Sequence, residues 1–113
     1  MIRTYTTILG LLKNPTRWTT GSNAVTSKRR GKWCGEFDPK ATAFCLNGAA
    51  LRVYGKPKSK TSVRAVKTKA YTVAINKIKA AIGTNSNSGV ISWNDHYQRR
   101  HKDVLKVLRK AKV

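Results

Sequence analysis

The stretch "ISWNDHYQRRHKDVLKVLRK", residues 91–110, places a Trp-Asn-Asp corner directly before a strongly basic helical pattern. Its apolar and charged residues separate at helical spacing, which predicts an amphipathic final helix that begins after Trp93. Asn94 is the predicted N-cap, and Asp95 is favourably placed at the positive end of the helix dipole. The predicted core stripe consists of Tyr97, His101, Val104, Leu105, Leu108 and Ala111. The predicted charged face consists of Arg99, Lys102, Lys106, Arg109 and Lys110.

Three further helices are predicted upstream of this stretch. A short amphipathic helix covers residues 5–12 and ends at "KNP", residues 13–15. A buried central helix covers residues 38–54, because Asp38 can cap it, Pro39 suits its first position and Gly55 can end it. A third helix covers residues 66–82, and "GTNSNSG", residues 83–89, ends it and forms a flexible loop.

These helices predict an all-α fold, a compact bundle of about four short helices. A chain of 113 residues has the length of one domain, so residues 1–113 are expected to form a single helical domain. Two long basic loops, residues 16–37 and 55–65, are expected to connect the helices.

The charge of the chain indicates an anionic partner. The formal net charge is +20, from 24 Lys and Arg residues against four acidic residues. Such a charge strains the compact state by self-repulsion, and a polyanion would relieve that strain. Nucleic acid is the usual polyanion, followed by acidic membrane surfaces and acidic protein grooves. A surface that only improves solubility is the alternative, but solubility needs far less charge.

The basic clusters in the two loops and on the final helix are the candidate nucleic-acid-binding residues. Contacts from such cations to phosphates give an affinity that depends on salt and hardly on sequence. Trp18, Trp33 and Tyr54 could stack on unpaired bases, but aromatic residues of a small helical domain more often lie in the core. The candidate cations are Lys28, Arg29, Arg30, Lys32, Lys56, Lys58, Lys60, Arg64, Arg99, Lys102, Lys106 and Arg109.

Catalytic and metal sites are disfavoured by the residues at hand. A zinc site would need Cys34, Cys45, His96 and His101, yet ten residues separate the cysteines and the histidines are spaced i, i+5. His101 lies on the apolar stripe, which favours a hydrogen-bonded core histidine. Cys45 falls within the predicted central helix, which favours an inert buried thiol. The sequence therefore predicts no enzyme, no metal and no cofactor.

The expected location is the cytoplasm, or the host cytoplasm or virion if the chain is phage-encoded. The apolar run "ILGLL", residues 8–12, is too short to span a membrane and lacks the flanks of a signal peptide, and no membrane partner is expected. In a reducing compartment Cys34 and Cys45 are expected to be free thiols.

Several motifs follow one another along the chain. They are Trp18, "WCGEFD" at 33–38, "AFCLNGAALRVYG" at 43–55, "ISWND" at 91–95 and "KDVLKVLRKA" at 102–111. In this order they resemble a family of small uncharacterised helical proteins of bacteria and their phages. The resemblance spans most of the chain and implies a compact helical fold without implying an activity. It also implies a scaffold role for Trp33, Cys45, Gly48, Trp93, Asn94 and Asp95. Members of that family tend to be acidic or balanced in charge, so the cationic surface is a departure from it.

Two classes of function follow from these observations. The leading hypothesis is a small basic nucleic-acid-binding protein that contacts the phosphate backbone of DNA or RNA largely without sequence specificity. A phage-encoded protein is one form of this hypothesis. The alternative is a phage-encoded inhibitor or accessory factor of a host nucleic-acid machine, such as a nuclease, polymerase, CRISPR effector or ribosome. A structural role in a virion or ribosome is a third reading. A stoichiometric protein partner that survives nuclease treatment would favour the alternative.

Overall fold

Helices and short strands alternate along the chain in a computed structural model that describes residues 4–27 and 32–113. The helices are α1 (Ile8–Leu12), α2 (Leu46–Tyr54), α3 (Lys69–Ile82), α4 (Asn87–Asp95) and α5 (His101–Ala111). The strands are β1 (Ala24–Ser27), β2 (Lys32–Trp33), β3 (Ala43–Phe44), β4 (Lys56–Pro57) and β5 (Ala65–Val66). A single 3-10 turn, Pro15–Arg17, follows α1.

The all-α prediction is wrong, because the strands form two small antiparallel sheets. One sheet has the order β2-β1-β3, and the other is the hairpin β4-β5. Val25 on β1 pairs with Trp33 on β2 and with Ala43 on β3. Strands of two to four residues are too short to show a clear alternation of apolar and polar positions, so no period-two pattern marks them in the sequence. The fold is therefore α+β.

Helix α2 lies at the centre of the fold, packed against α1, α3 and α4. The prediction of a buried central helix that stops at Gly55 is confirmed, but its predicted start is wrong. Asp38 accepts the backbone N–H of Lys40 within a turn, and β3 occupies residues that were assigned to the helix. The true N-cap is Cys45, whose Sγ accepts the N–H of Gly48 at 3.3 Å.

Helix α3 carries the core face predicted for it. Tyr71, Ala74, Ile75 and Ile78 are buried, and Gly83 ends the helix with a left-handed φ of 90°. The helix begins at Lys69, three residues later than predicted, because Thr68 is its N-cap and the preceding residues form β5. The Thr68 hydroxyl accepts the N–H of Tyr71 and thereby fixes this start.

The Trp-Asn-Asp corner ends a helix and does not begin one. Residues 87–95, most of them assigned to a flexible loop or to the start of the last helix, form α4, which Ser86 caps by accepting the N–H of Gly89 at 3.0 Å. Gly, Ser and Asn favour helices weakly, but Val90 and Asn94 are fully buried, so packing overrides propensity. Asn94 therefore lies within α4 and is not the N-cap of the last helix.

Helix α5 starts at His101, where the Asp103 carboxylate accepts the N–H of Arg100 at 3.0 Å. Of the predicted stripe, Val104, Leu108 and Ala111 are buried and Leu105 is half-buried. Tyr97 is 87% exposed, because the turn at residues 96–100 separates it from α5. Val107, which the predicted stripe does not include, is buried. His101 is half-buried with its Nε2 2.6 Å from the carbonyl oxygen of Leu12, which confirms a hydrogen-bonded core histidine. Among the described residues, no helix has the length and apolarity needed to cross a membrane.

Candidate nucleic-acid interface

An open groove of about 730 Å³ lies between the β2-β1-β3 sheet and the β4-β5 hairpin. We call it the hairpin groove. Apolar side chains of Ala24 and Leu51 contribute to its lining, and polar or exposed residues contribute the rest. The latter include Asn23, Trp33, Cys34, Glu36, Val63 and Arg64.

The segment after β2 holds the two walls of the hairpin groove together. Phe37 donates its N–H to the carbonyl oxygen of Val63 at 2.8 Å, and the Glu36 carboxylate accepts the N–H of Ala65 at 3.1 Å. A Cβ on Gly35 would come within 2.3 Å of the Val63 carbonyl oxygen, so only glycine permits this close approach. The hairpin is thereby fixed beside β2, although 31 residues separate Lys32 from Val63 in the sequence.

Asn23 connects the hairpin groove to the central helix. Its Nδ2 donates to Oε2 of Glu36 at 3.1 Å, and its Oδ1 accepts from Nδ2 of Asn47 at 3.2 Å. The Cys45 thiol donates to the same Oδ1 at 3.4 Å. The backbone of Gly48 packs against Asn23 so closely that a Cβ on residue 48 would lie 1.7 Å from the Asn23 carbonyl oxygen. The groove floor and the start of α2 therefore form one rigid unit.

Trp33 is the aromatic residue that the fold presents to solvent at this groove. Its side chain is 71% exposed, whereas Trp18 is 9% exposed and donates its indole N–H to Asn94. Tyr54 is half-buried, and its hydroxyl donates to the Val113 carbonyl oxygen at 3.2 Å. The scaffold role that the resemblance implied for Trp33 is thus wrong for its side chain.

Of the predicted loop cations that the structure describes, Arg64 lines the hairpin groove. Lys32, Lys56, Lys58, Lys60 and Arg64 are all exposed. Lys58 donates its backbone N–H to the Arg64 carbonyl oxygen at 2.8 Å, which places these two residues opposite each other in the hairpin. Lys28, Arg29 and Arg30 lie outside the described residues.

The cations of α5 belong to another part of the surface. Lys102, Lys106 and Arg109 are exposed on a helix that packs against α1 and α3, whereas β5 packs against α2. Arg99 has a structural contact of its own: its Nε donates to the Trp93 carbonyl oxygen at 2.7 Å, and its guanidinium carbon lies 3.8 Å from the centre of the Trp93 ring. Arg99 is consequently less available to a ligand than the other three.

Both cysteines are free, as predicted. Burial raises the pKa of Cys45 to about 11, which keeps this thiol protonated and unreactive near neutral pH. Burial also raises the pKa of Cys34 in the groove, and the carboxylates of Asp38 and Glu36 add to this effect. Within residues 4–27 and 32–113, no three His, Cys, Asp or Glu residues are grouped so that they could hold a metal ion.

A family model matches residues 2–112. The chain belongs to the family of unknown function DUF6197. No match was found among curated proteins or among solved structures. The DUF6197 match covers nearly the whole chain and confirms the prediction of an uncharacterised family. It assigns no activity, so the function of this DUF6197 protein must be inferred from its surface.

Proposed function

We propose that the protein binds nucleic acid through the phosphate backbone, largely without sequence specificity, and that it is not an enzyme. The observation that carries this proposal is that two segments far apart in sequence are held together, one with the exposed Lys32 on β2 and the other with the exposed Lys58 and Arg64 of the hairpin, where Arg64 lines the hairpin groove. Cations held on a fixed framework contact phosphates without first losing the conformational freedom of a loop. The α5 stripe of Lys102, Lys106 and Arg109 provides a second contact surface.

The acidic residues support the proposal by their placement. Each of the four accepts a backbone N–H: Glu36 from Ala65, Asp38 from Lys40, Asp95 from Gly21 and Asp103 from Arg100. Asp38 and Asp103 therefore stabilise a turn and a helix start, whereas Glu36 and Asp95 join distant segments of the chain. Four carboxylates cannot offset 24 cations in any arrangement. The resulting field attracts polyanions and speeds their association.

The source and location are part of the same proposal. The motif order described above supports a bacterial or bacteriophage source. A nucleic-acid-binding protein of that source would act in the cytoplasm of the cell, or in the virion.

Binding to mixed-sequence DNA and RNA is expected to weaken steeply with salt. If only three cations each neutralise one phosphate, a fourfold rise in salt should lower the affinity roughly 20-fold for single strands and about 40-fold for duplexes. Fluorescence anisotropy of labelled oligonucleotides between about 50 and 200 mM salt measures this directly.

The proposal is overturned if the affinity is flat across this salt range, or if no oligonucleotide binds at the lowest salt. A protein partner that stays bound in equal amount after nuclease treatment, together with absent oligonucleotide binding, would point to an accessory factor instead. An oligonucleotide of scrambled sequence serves as the control, because backbone binding predicts an unchanged affinity.

A further inference from the structure

Building on the proposed function, we infer that the hairpin groove takes an unpaired base stacked on Trp33, so that single-stranded nucleic acid is the preferred ligand class. The juxtaposition that carries this inference is an exposed indole, an open groove beside it and a cation, Arg64, in the lining of that groove. Stacking on an aromatic side chain is the usual way in which proteins hold unpaired bases, because every base offers a π-face.

The Trp33 ring stands on a fixed backbone. Val25 pairs with Trp33 across β1 and β2, and the next residue, Cys34, donates its N–H to the Ala24 carbonyl oxygen at 2.9 Å. The other two tryptophans are engaged within the protein, since Trp18 donates to Asn94 and Trp93 lies under the Arg99 guanidinium. Trp33 is the tryptophan whose side chain stays mostly in solvent, at 71% exposed. Leaving so large an apolar ring in water costs free energy that a stacked ligand would recover.

The hairpin groove has the size and lining of a small-molecule site. Its volume of about 730 Å³ falls within the range of roughly 300–1,000 Å³ that is usual for such sites. Ala24 and Leu51 give it an apolar part, and Asn23 and Glu36 give it polar groups that can meet the edge of a base. A base held in a duplex cannot enter, because its faces are stacked on its neighbours and its edge is paired.

The charges of the groove favour one orientation of a bound nucleotide. Glu36 is held in place by the N–H of Ala65 and by Nδ2 of Asn23, so its carboxylate stays in the groove lining. The negative charge of this carboxylate repels a phosphate, and its oxygens can accept hydrogen bonds from the N–H groups of a base edge. Arg64 lines the groove and can meet a phosphate there, and the exposed Lys58 lies opposite Arg64 in the hairpin. The favoured arrangement therefore has the base inside and the backbone at the rim.

The test compares the strand preference of four proteins by fluorescence anisotropy, using a labelled mixed-sequence 12-mer as single strand and as duplex, in DNA and in RNA form. The proteins are the wild type, Trp33→Ala, Trp33→Phe and Tyr97→Ala. Tyr97 is the matched control, because it is an 87% exposed aromatic residue outside the hairpin groove and its ring is already stacked on that of His96. Circular dichroism verifies that each variant is folded.

We expect Trp33→Ala to weaken single-strand binding about tenfold, within a range of roughly 5- to 150-fold, and to change duplex binding less than about twofold. Trp33→Phe should retain most of the affinity, because a phenyl ring still stacks. Tyr97→Ala should behave as the wild type does. Comparing the DNA and RNA strands shows which of the two carries the preferred unpaired base.

The inference is overturned if Trp33→Ala leaves single-strand binding unchanged, or if it weakens single strand and duplex equally, while the wild type still binds with a steep salt dependence. In that case the proposed function survives and only the stacking site is lost. If the wild type binds neither strand form in DNA or RNA, the proposed function fails and the stacking site fails with it.

Discussion

Replacing Asn94 with alanine is expected to lower the free energy of unfolding by about 3–5 kcal/mol, a large part of the roughly 5–15 kcal/mol that stabilises a domain. The Asn94 side chain is fully buried and uses all of its hydrogen-bonding capacity. Its Oδ1 accepts from Nε1 of Trp18 at 2.8 Å and from the N–H of Leu46 at 3.1 Å. Its Nδ2 donates to the Thr19 carbonyl oxygen at 3.2 Å and to Oδ1 of Asp95 at 2.8 Å.

The size of this effect follows from what the substitution leaves behind. The Trp18 indole N–H and the first N–H of α2 would lose a buried acceptor, and the Thr19 carbonyl would lose a donor. Each buried polar group without a partner costs about 1–3 kcal/mol, and the cavity adds to that cost. Asn94 thus caps α2 from another part of the chain and joins it to the segment after α1.

Urea denaturation followed by circular dichroism measures the loss. Asn76→Ala, at an exposed position of α3, is the matched control and should change the free energy of unfolding by less than about 0.5 kcal/mol. Asn94→Asp should also destabilise strongly, because it removes both N–H donors and brings a second carboxylate beside Asp95. A loss below about 1 kcal/mol for Asn94→Ala would contradict the assigned network.

Replacing Gly48 with alanine is expected to destabilise the protein by at least about 3 kcal/mol, although alanine is the better helix former by roughly 1 kcal/mol. The new Cβ would lie 1.7 Å from the Asn23 carbonyl oxygen and 2.4 Å from its carbonyl carbon. These are backbone atoms next to β1, so no side-chain rotation relieves the clash. Either α2 or the start of β1 must move, and the contact between Asn23 and Glu36 at the hairpin groove moves with it.

Thermal and urea unfolding of Gly48→Ala measure this loss, with Gly10→Ala as the control. Gly10 also lies in a helix, but a Cβ there would meet side-chain atoms, Oγ1 of Thr7 at 3.0 Å and Cδ1 of Tyr5 at 3.6 Å. Because those side chains can shift, the control should change stability by less than about 1 kcal/mol. Equal stability of Gly48→Ala and the wild type would show that α2 does not approach β1 this closely.

The sequence predicted those parts of the fold that depend on local periodicity. The buried faces of α3 and most of α5, the stop at Gly55 and the core position of His101 follow from apolar spacing and helix-ending residues. The role of Asn94 could not be predicted, because an asparagine side chain caps a distant helix with the same chemistry that caps its own. Only the contact with Trp18, 76 residues away, distinguishes the two. The short strands have no pattern of apolar and polar residues that distinguishes them from a helical segment.

The candidate site was predictable only in part for the same reason. Exposure of Lys56, Lys58 and Lys60 follows from their polar, proline-containing segment. The position of the hairpin that carries Arg64 beside β2 depends on the packing of Gly35 against Val63, which no local pattern encodes. The sequence pattern predicts a core or scaffold role for Trp33 over a stacking role, and it does not predict the place of Glu36 in the groove. The signal available in the sequence for Glu36 was an acidic residue directly after Trp-Cys-Gly in a chain with only four acidic residues.

The most direct measurement of the central claim compares two variants that remove the same number of charges. In one, the groove variant, Lys32 on β2 and Lys58 and Arg64 on the hairpin become glutamine, and in the other the exposed Lys13, Lys69 and Lys77 become glutamine. Affinity for a single-stranded oligonucleotide is measured as a function of salt for both variants and for the wild type.

We predict that the groove variant binds at least about tenfold more weakly at moderate salt, and that the slope of log affinity against log salt falls by about 2. The control variant should stay within about threefold of the wild type, because long-range charge alone contributes little at moderate salt. Equal losses in both variants would mean that binding follows net charge alone and would contradict a defined nucleic-acid interface at the hairpin groove.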